Sequence, residues 1–277
     1  MGIRILYLAA IAVSLMSFSG ATYLNVIGPA TATLNNSQSI YLGKIGPGES
    51  FYVLASATTT NSTGFAVNIG WDELEAASLP QGWSSQPSPL YENPMKLKVT
   101  VPQDASYGMY NLTIRAVNVQ NYSRLGNITV TAYVNVTPNV YNITASPIHI
   151  QSGVGQPTNI YIRLNNTGIS DDPFIISAYG LPAWNLSDQV VVLHDTKSTY
   201  IYPIYVNEPG TYHFNLTVVS ATSPSIGATF PVTVVAQASL LNDYSAVGQG
   251  VILSPIIMEP SYEFMLLLSY IYRHISR

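Results

Sequence analysis

Acidic side chains that could act as a catalytic pair occur together at one place in the chain. Asp72, Glu73 and Glu75 are separated only by Leu74, and two neighbouring carboxylates are the groups that cleave glycosidic bonds. Such a pair means little without a pocket, and three acids in a short segment are more typical of a solvated turn. We therefore predict a turn here and no enzymatic activity for the chain.

Metal-binding chemistry has an equally weak basis. Asp171 and Asp172 precede Pro173 and could offer oxygen ligands to Ca²⁺, but the regular spacing of ligands in an EF-hand loop is missing. The four histidines are not paired at metal-ligand spacing, and the chain has no cysteine. We predict a turn at the two aspartates, and no metal or cofactor site.

Asparagines in Asn-x-Ser/Thr sequons are the strongest chemical signal. The chain has ten of them, whereas random placement of its 20 Asn and 51 Ser plus Thr gives about four. Strand alternation, with Asn and Thr on the wet face, also creates such triplets without any sugar. Because Asn is a poor strand former, we favour N-glycosylation. The ten are Asn35, Asn61, Asn111, Asn121, Asn127, Asn135, Asn142, Asn165, Asn185 and Asn215.

Short β-strands must position these asparagines. Runs of β-branched and aromatic residues, broken by Gly, Pro, Asn and Ser, continue from Thr22 to about Ala236. Within residues 212–218, Tyr, Phe, Leu and Val alternate with His, Asn and Thr, which predicts an antiparallel strand with one wet face. The clearest runs are Phe51 to Ala57, Lys96 to Val101, Tyr110 to Val117, Asn127 to Val136, Asn159 to Leu164, Thr199 to Val206, Tyr212 to Val219 and Ala228 to Val235.

An internal repeat divides these runs into two groups. Leu79 precedes Gly108 by 29 residues, and Leu181 precedes Gly210 by the same number. In each copy the Leu is followed by Pro, the Gly precedes a Tyr-containing strand, and the copies lie 102 residues apart. That spacing matches one seven-stranded sandwich. We predict two β-sandwich domains at residues 22–138 and 139–238.

One tryptophan and one tyrosine in each copy are predicted to have structural roles. Trp83 and Trp184 follow the Leu-Pro segments and could close one end of a core. Tyr110 and Tyr212 follow a Gly turn, where an immunoglobulin-type sandwich places a tyrosine whose hydroxyl reaches back to the backbone. An alternative is that these aromatic rings only fill space.

The second copy also carries motifs of a known kind of repeat. Asn165-Asn166-Thr167-Gly168, Gly180-Leu181-Pro182-Ala183-Trp184 and Pro209-Gly210-Thr211-Tyr212 resemble the immunoglobulin-like repeats of the NPCBM-associated and CARDB-like kind. The resemblance covers about 100 residues of the second copy and extends loosely to the first, where residues 104–107 are inserted. Similar repeats occur in tandem in archaeal and bacterial surface proteins. The resemblance implies an extracellular, usually non-catalytic binding or scaffolding module, and it transfers no functional residues.

The composition excludes several classes of protein. Charged residues make up only 9% of the chain and hydrophobic residues 47%, whereas about 25% charged is ordinary for a soluble domain. Ten Lys and Arg in 277 residues cannot build a surface that follows nucleic-acid phosphates, so no nucleic-acid partner is expected. Without cysteine, each domain must be stabilised by an ordinary hydrophobic core.

The N-terminus is typical of an export signal. Arg4 supplies a positive charge, Ile5 to Met16 form a short apolar run, and Ser19-Gly20-Ala21 offer a small-residue cleavage site. We predict a signal peptide at residues 1–21. A retained membrane anchor is the alternative, since the apolar stretch with its flanks is near the lower limit for spanning.

The C-terminal segment, residues 239–277, is apolar but a poor membrane span. Two glutamates and two prolines interrupt it, and a buried glutamate costs about 2 to 3 kcal/mol near the middle of a bilayer. It could be a kinked span, a helix in the membrane interface, or a segment that docks on a partner or on the second domain. Residues expected to make that contact are Glu259, Tyr262, Glu263, Phe264, Leu267 and Tyr270.

These features together predict an exported, glycosylated, non-enzymatic protein at the outer face of the cell membrane, with a structural or interaction role of surface-layer or filament type. Its expected partners are other envelope or membrane proteins. One alternative is a carbohydrate-binding accessory module, which would need exposed aromatic residues such as Trp71, Trp83 and Tyr91 to bind glycans. Another is the ectodomain subunit of a membrane protein complex.

Overall fold

The computed structural model describes residues 22–60, 66–119, 126–180 and 187–238, with side chains except at 59, 60 and 66–69. In these ranges the regular secondary structure is entirely β, in nineteen strands. The all-β class predicted from the sequence is confirmed. The predicted signal peptide at 1–21 and the tail at 239–277 lie outside the described residues.

The described residues divide into two compact units. Unit 1 comprises the chain up to Pro138 together with Gly168–Ser170, and unit 2 comprises Asn139–Thr167 and the chain from Asp171 onward. Unit 1 contains β1 (Leu24–Gly28), β2 (Ala32–Leu34), β3 (Ser39–Ile45), β4 (Ser50–Ala55), β5 (Thr58–Thr60), β6 (Ala66–Gly70), β7 (Glu73–Ser78), β8 (Ser84–Gln86), β9 (Met95–Thr100), β10 (Gly108–Val117) and β11 (Ile128–Val136). Unit 2 contains β12 (Tyr141–Ser146), β13 (His149–Gly153), β14 (Thr158–Asn166), β15 (Asp172–Tyr179), β16 (Ser187–Val192), β17 (Lys197–Ile204), β18 (Gly210–Ser220) and β19 (Gly227–Gln237).

Unit 1 is a sandwich of two sheets with strand orders β2-β1-β4-β9-β8 and β3-β11-β10-β7, and β5 and β6 form a separate hairpin. Buried apolar side chains from both sheets belong to one hydrophobic cluster, which is the core of a two-layer β fold. The described strand pairs are antiparallel, except that β3 runs parallel to β11.

Unit 2 repeats this arrangement with the orders β12-β14-β17 and β13-β19-β18-β15-β16 around a second cluster. Its parallel pair is β13 with β19. The order β3-β11-β10-β7 corresponds to β13-β19-β18-β15, and β1-β4-β9 corresponds to β12-β14-β17. Each unit is an immunoglobulin-like β-sandwich, as the sequence predicted.

Alternation along the strands builds both cores and leaves one face of each sheet in solvent. Along β11, Val130, Ala132 and Val134 are buried, while Thr131 and Tyr133 between them point outward. Burying a Val or Ile side chain contributes about 1.5 to 3 kcal/mol. Side chains at the outward positions do not pack in the core. Polar and aromatic residues can therefore occupy these positions and contact other molecules.

Tyrosine hydroxyls close a corner in each unit. The Tyr110 hydroxyl donates to the carbonyl oxygen of Ser106 at 2.9 Å, and the Tyr212 hydroxyl donates to that of Glu208 at 2.9 Å. Both bonds reach back four residues, the geometry of the tyrosine corner of immunoglobulin-type sandwiches. Trp83 packs against Tyr110 with ring centroids 5.3 Å apart, so both residues support the fold of unit 1. Trp184 lies outside the described residues.

Two acidic segments differ from the turns predicted for them. Glu73 and Glu75 lie on strand β7 with Leu74 buried between them, because Leu74 belongs to the core and alternation turns both glutamates outward. Asp172 is the first residue of β15 and is fully buried. Only its neighbour Asp171 is exposed.

Among the residues that the structure describes, no helix has the length and hydropathy of a membrane span.

Candidate interaction surface

Sequon asparagines lie on the outward faces of both sandwiches. Five of the ten are within strands, with exposed or half-buried side chains: Asn111 on β10, Asn135 on β11, Asn142 on β12, Asn165 on β14 and Asn215 on β18. In each case the following residue points toward the core side and the Thr at the third position points outward or lies beyond the strand. The sequon asparagines within strands therefore lie on outward faces, as N-glycosylation requires.

The remaining sequons have other positions. Asn35 follows β2 and its side-chain oxygen accepts the backbone N–H of Asn36 at 2.7 Å. Asn127 is exposed just before β11. Asn61, Asn121 and Asn185 lie outside the described residues. Glycosylation at each of the ten stays a prediction.

In unit 1, Asn111 belongs to a row of three residues that crosses three strands. On one side the register places it opposite Tyr133, and Tyr133 in turn lies opposite Tyr41 on β3. Tyr133 is 36% exposed and Tyr41 is 47% exposed. This row therefore combines a sequon with two accessible aromatic rings.

In unit 2, Asn215 has a comparable neighbour. It lies opposite Tyr179 on β15 and opposite Pro231 on β19. Tyr179 is 61% exposed. The same combination of a sequon asparagine and an accessible tyrosine thus occurs on both units.

The other strand sequons have different neighbours. Asn142 and Asn165 lie directly opposite one another, and Asn165 also faces Lys197. Asn135 lies between Met109 and Lys44. None of these registers places an aromatic residue opposite the asparagine.

Further exposed aromatic and aliphatic residues occur away from the sequons. Tyr52 lies opposite Lys98, and Tyr161 lies opposite Ile201 on the outward face of the sheet formed by β12, β14 and β17. Tyr161 and Ile201, 42% and 51% exposed, are called the Tyr161–Ile201 pair below. Single exposed apolar residues are common, but adjacent ones are characteristic of interaction surfaces.

The aromatic residues predicted for a carbohydrate-binding module are mostly unavailable. Trp71 and Trp83 are buried in the core of unit 1, because both rings complete the packing of that core. Only Tyr91 is exposed. This set of three therefore does not form an exposed binding face.

The carboxylates considered for catalysis are engaged in separate contacts. Glu75 accepts both the Nε and an Nη group of Arg115, at 2.8 and 2.6 Å, across β7 and β10. Asp171 accepts the backbone N–H of His194 at 2.7 Å and contacts its Nδ1 at 2.6 Å. Both pairs lie at the surface, where an ion pair contributes about 0 to 1 kcal/mol. Each pair is a structural contact between side chains at the surface of one unit.

Asp172 is a buried carboxyl group with incomplete hydrogen bonding. Its Oδ1 accepts the Thr222 hydroxyl, while its Oδ2 is buried and has no hydrogen-bond partner among the described residues. Burial raises the pKa of Asp172, and hydrogen bonds from Ser220 and Thr222 partly oppose that shift.

Asp188 and Tyr200 form a second electrostatic contact. The Tyr200 hydroxyl donates to the Asp188 carboxylate. Burial and this carboxylate raise the pKa of Tyr200 to about 12, and the same hydrogen bond lowers the pKa of Asp188. The pair links β16 to β17.

Within the described ranges, no cluster of three His, Asp or Glu side chains is arranged to hold a metal ion. The exposed tyrosines opposite Asn111 and Asn215 were not predicted from the sequence. Alternation could have placed each tyrosine on an outward face, but only the strand register shows which residue it faces. The tail residues Glu259, Tyr262, Glu263, Phe264, Leu267 and Tyr270 lie outside the described residues.

No protein-family model matches this chain, and no curated protein matches it. Similar solved structures include a chimeric titin Z1Z2 functionalized with a KLER exogenous peptide from decorin, at 13% identity over 79% of this chain and 99% of that chain, with a TM-score of 0.36. Fibronectin(III)-like modules of Clostridium thermocellum CbhA match at 12% identity over 78% and 94%, with a TM-score of 0.26. The D00-D0 domain of intimin matches at 15% identity over 76% and 99%, with a TM-score of 0.26.

Proposed function

We propose that this chain is a non-enzymatic surface protein whose sandwiches bind other macromolecules of the cell envelope. The observation that carries the proposal is the chemistry of the outward sheet faces, where exposed tyrosines stand among Asn, Thr and Ser. Tyrosine provides a large apolar area and one hydroxyl at a low cost in side-chain entropy, and it is enriched at protein interfaces. A catalytic site would instead need convergent titratable groups in a cleft.

Export to the outer face of the membrane is part of the proposal. The low charged fraction of 9% and the ten sequons support it, because a surface of Asn, Thr, Ser and Tyr stays hydrated without ion pairs. The two units are repeats of the NPCBM-associated and CARDB-like kind in this proposal. The segment 239–277 holds the protein at the membrane or on a membrane partner, so the chain acts as a structural envelope component or as the ectodomain subunit of a complex.

The experiment that tests the proposal is gentle detergent extraction from the native cells, followed by identification of the proteins that co-purify. The chain is compared with a Tyr161→Gln/Ile201→Thr variant, which removes the Tyr161–Ile201 pair and creates no new sequon, since Gln at position 161 does not complete an Asn-x-Ser/Thr triplet with Asn159. An Asn159→Ser variant on the same face of β14 is the matched control.

The proposal predicts one or more envelope proteins that co-purify with the wild type and the control but are reduced at least about tenfold with the double variant, the ratio that corresponds to 1.4 kcal/mol of binding free energy. Thermal unfolding of all three proteins checks that they are folded. Equal recovery of the same partners by the double variant would show that this face does not bind them, and recovery of no envelope protein would contradict the interaction role.

A further inference from the structure

Each unit places a sequon asparagine directly opposite an exposed tyrosine on a neighbouring strand. The pairs are Asn111 with Tyr133 in unit 1 and Asn215 with Tyr179 in unit 2. Both asparagines are exposed, and the tyrosines are 36% and 61% exposed. The two pairs do not occupy equivalent positions of the repeat. Asn111 is one residue after the corner tyrosine Tyr110, whereas Asn215 is three residues after Tyr212.

The distance between such residues suits one particular contact. The Cβ atoms of directly opposed residues in an antiparallel pair are about 4.5 to 5.5 Å apart, and their side chains leave the sheet in the same direction. A sugar ring attached to the asparagine amide would therefore project beside the tyrosine ring. The apolar face of a pyranose carries C–H groups that pack favourably on the negative face of an aromatic ring.

We propose that Asn111 and Asn215 carry N-linked sugars and that Tyr133 and Tyr179 are the rings on which the first sugar of each glycan packs. The proposal rests on the export and glycosylation included in the proposed function. Attachment forms a bond from the asparagine Nδ2 to the anomeric carbon of a sugar. The amide loses one proton, and the bond from that carbon to the phosphate of an activated glycosyl phosphate donor breaks.

The packed sugar explains the choice of residue at both tyrosine positions. An exposed aromatic ring on a strand leaves apolar surface in contact with water. A sugar ring that covers the aromatic ring in the folded glycoprotein shields this surface from water. In unit 1, Tyr41 lies beyond Tyr133 in the same row and extends the aromatic surface for a second sugar. Glycans at Asn111 and Asn215 therefore stabilise the sandwiches.

Two other strand sequons lack this partner and serve as internal references: Asn142 and Asn165 face each other, and Asn165 also faces Lys197. Asn135 is no such reference, because it lies two residues after Tyr133 on the same face of β11. Sugars at Asn142 and Asn165 would extend into solvent with no ring opposite them to cover. Their removal is expected to leave stability unchanged.

The test uses the full chain isolated from its native cells, with glycopeptide mass spectrometry to measure occupancy at Asn111 and Asn215. Thermal unfolding is then compared for the wild type, Thr113→Val, Tyr133→Thr and the double variant. Thr113→Val removes the sequon of Asn111 and keeps both members of the Asn–Tyr pair and the β-branched shape at position 113. The same four proteins from a host that does not glycosylate them report the effect of each substitution without the sugar.

We expect sugar at both asparagines and, in the glycosylated protein, a fall in Tm of about 3 °C for either single variant, the scale of one stacking contact in a domain of about 100 residues. The double variant should lose no more than either single one, because both remove the same contact. Without glycosylation, Thr113→Val should leave Tm unchanged. Tyr52→Thr, which alters an exposed tyrosine opposite Lys98, should have the same effect with and without sugar.

Two results would overturn the proposal. Bare peptides at Asn111 and Asn215 would show that the sugars are missing, and additive effects of Thr113→Val and Tyr133→Thr in the glycosylated protein would show that the sugar does not pack on the ring. Neither result bears on whether the outward faces bind envelope proteins, which the co-purification experiment tests separately.

Discussion

The buried carboxyl of Asp172 makes the stability of unit 2 depend on pH. Burial raises its pKa above that of the unfolded chain, so the folded state holds the proton more tightly. Stability from this group is fully present below the unfolded pKa of about 3.9 and is lost as pH rises through the raised value. Asp172→Asn keeps an oxygen that can accept from Thr222 and removes the ionisation.

We therefore expect Asp172→Asn to be at least as stable as the wild type at pH 7, with a flatter dependence of the free energy of unfolding on pH between 4 and 7. Urea unfolding at a series of pH values measures this, with Asp195→Asn, at an exposed acid of the same unit, as the control. A wild type that gains stability relative to Asp172→Asn on going from pH 4 to pH 7 would contradict the assignment.

The tyrosine corners allow the same substitution to be made in both units. Tyr110→Phe and Tyr212→Phe each remove one hydroxyl that donates to a backbone carbonyl and keep the ring. Each should cost about 1 kcal/mol, the net contribution of one such hydrogen bond. Chemical denaturation of the single variants measures the cost, and a change below about 0.3 kcal/mol in both would mean that the rings alone support the corners.

At the scale of elements, the hairpin of β18 and β19 depends on a glycine. A Cβ at Gly227 would lie 2.8 Å from the carbonyl oxygen of Val218 and 3.1 Å from a methyl group of Val219, so the two strands would have to move apart. Gly227→Ala is expected to cost about 1 to 3 kcal/mol. Thr229→Ala, at an exposed position of the same strand, should change stability by less than about 0.5 kcal/mol. The urea midpoints of the two variants test this, and equal midpoints would exclude the steric explanation.

The strands themselves show how far sequence reasoning reaches. All eight runs of β-branched and aromatic residues occur as strands, including β10, β11, β18 and β19, because composition and alternation are local properties that the chain carries by itself. Strand β7 was missed because Glu73 and Glu75 resemble a solvated turn when the burial of Leu74 is not known. Strand β15 was missed because it begins with Asp172 and Pro173, which usually mark a turn.

The candidate surface was predictable only in part. The sequons can be found in the sequence, and alternation puts them on wet faces. Their neighbours depend on pairing between distant strands, such as Asn215 with Tyr179, and register of that kind is set by the whole sheet. The burial of Trp71 and Trp83 is likewise a property of the assembled core.

In the molecule as a whole, the described residues form two immunoglobulin-like sandwiches, each with a buried core of ordinary size and outward faces rich in Tyr, Asn, Thr and Ser. With 9% charged residues, contacts made by such faces would depend on aromatic packing and hydrogen bonds more than on ion pairs. The central claim is that these faces are displayed to the outside of the cell.

Labelling of intact native cells with a membrane-impermeant amine reagent tests that claim most directly. Lys44, Lys96 and Lys197 are exposed on strands of the two units and should be modified without lysis, as measured by mass spectrometry of the recovered peptides, while a cytosolic protein in the same cells stays unmodified. Modification of these lysines only after the cells are broken would contradict the account.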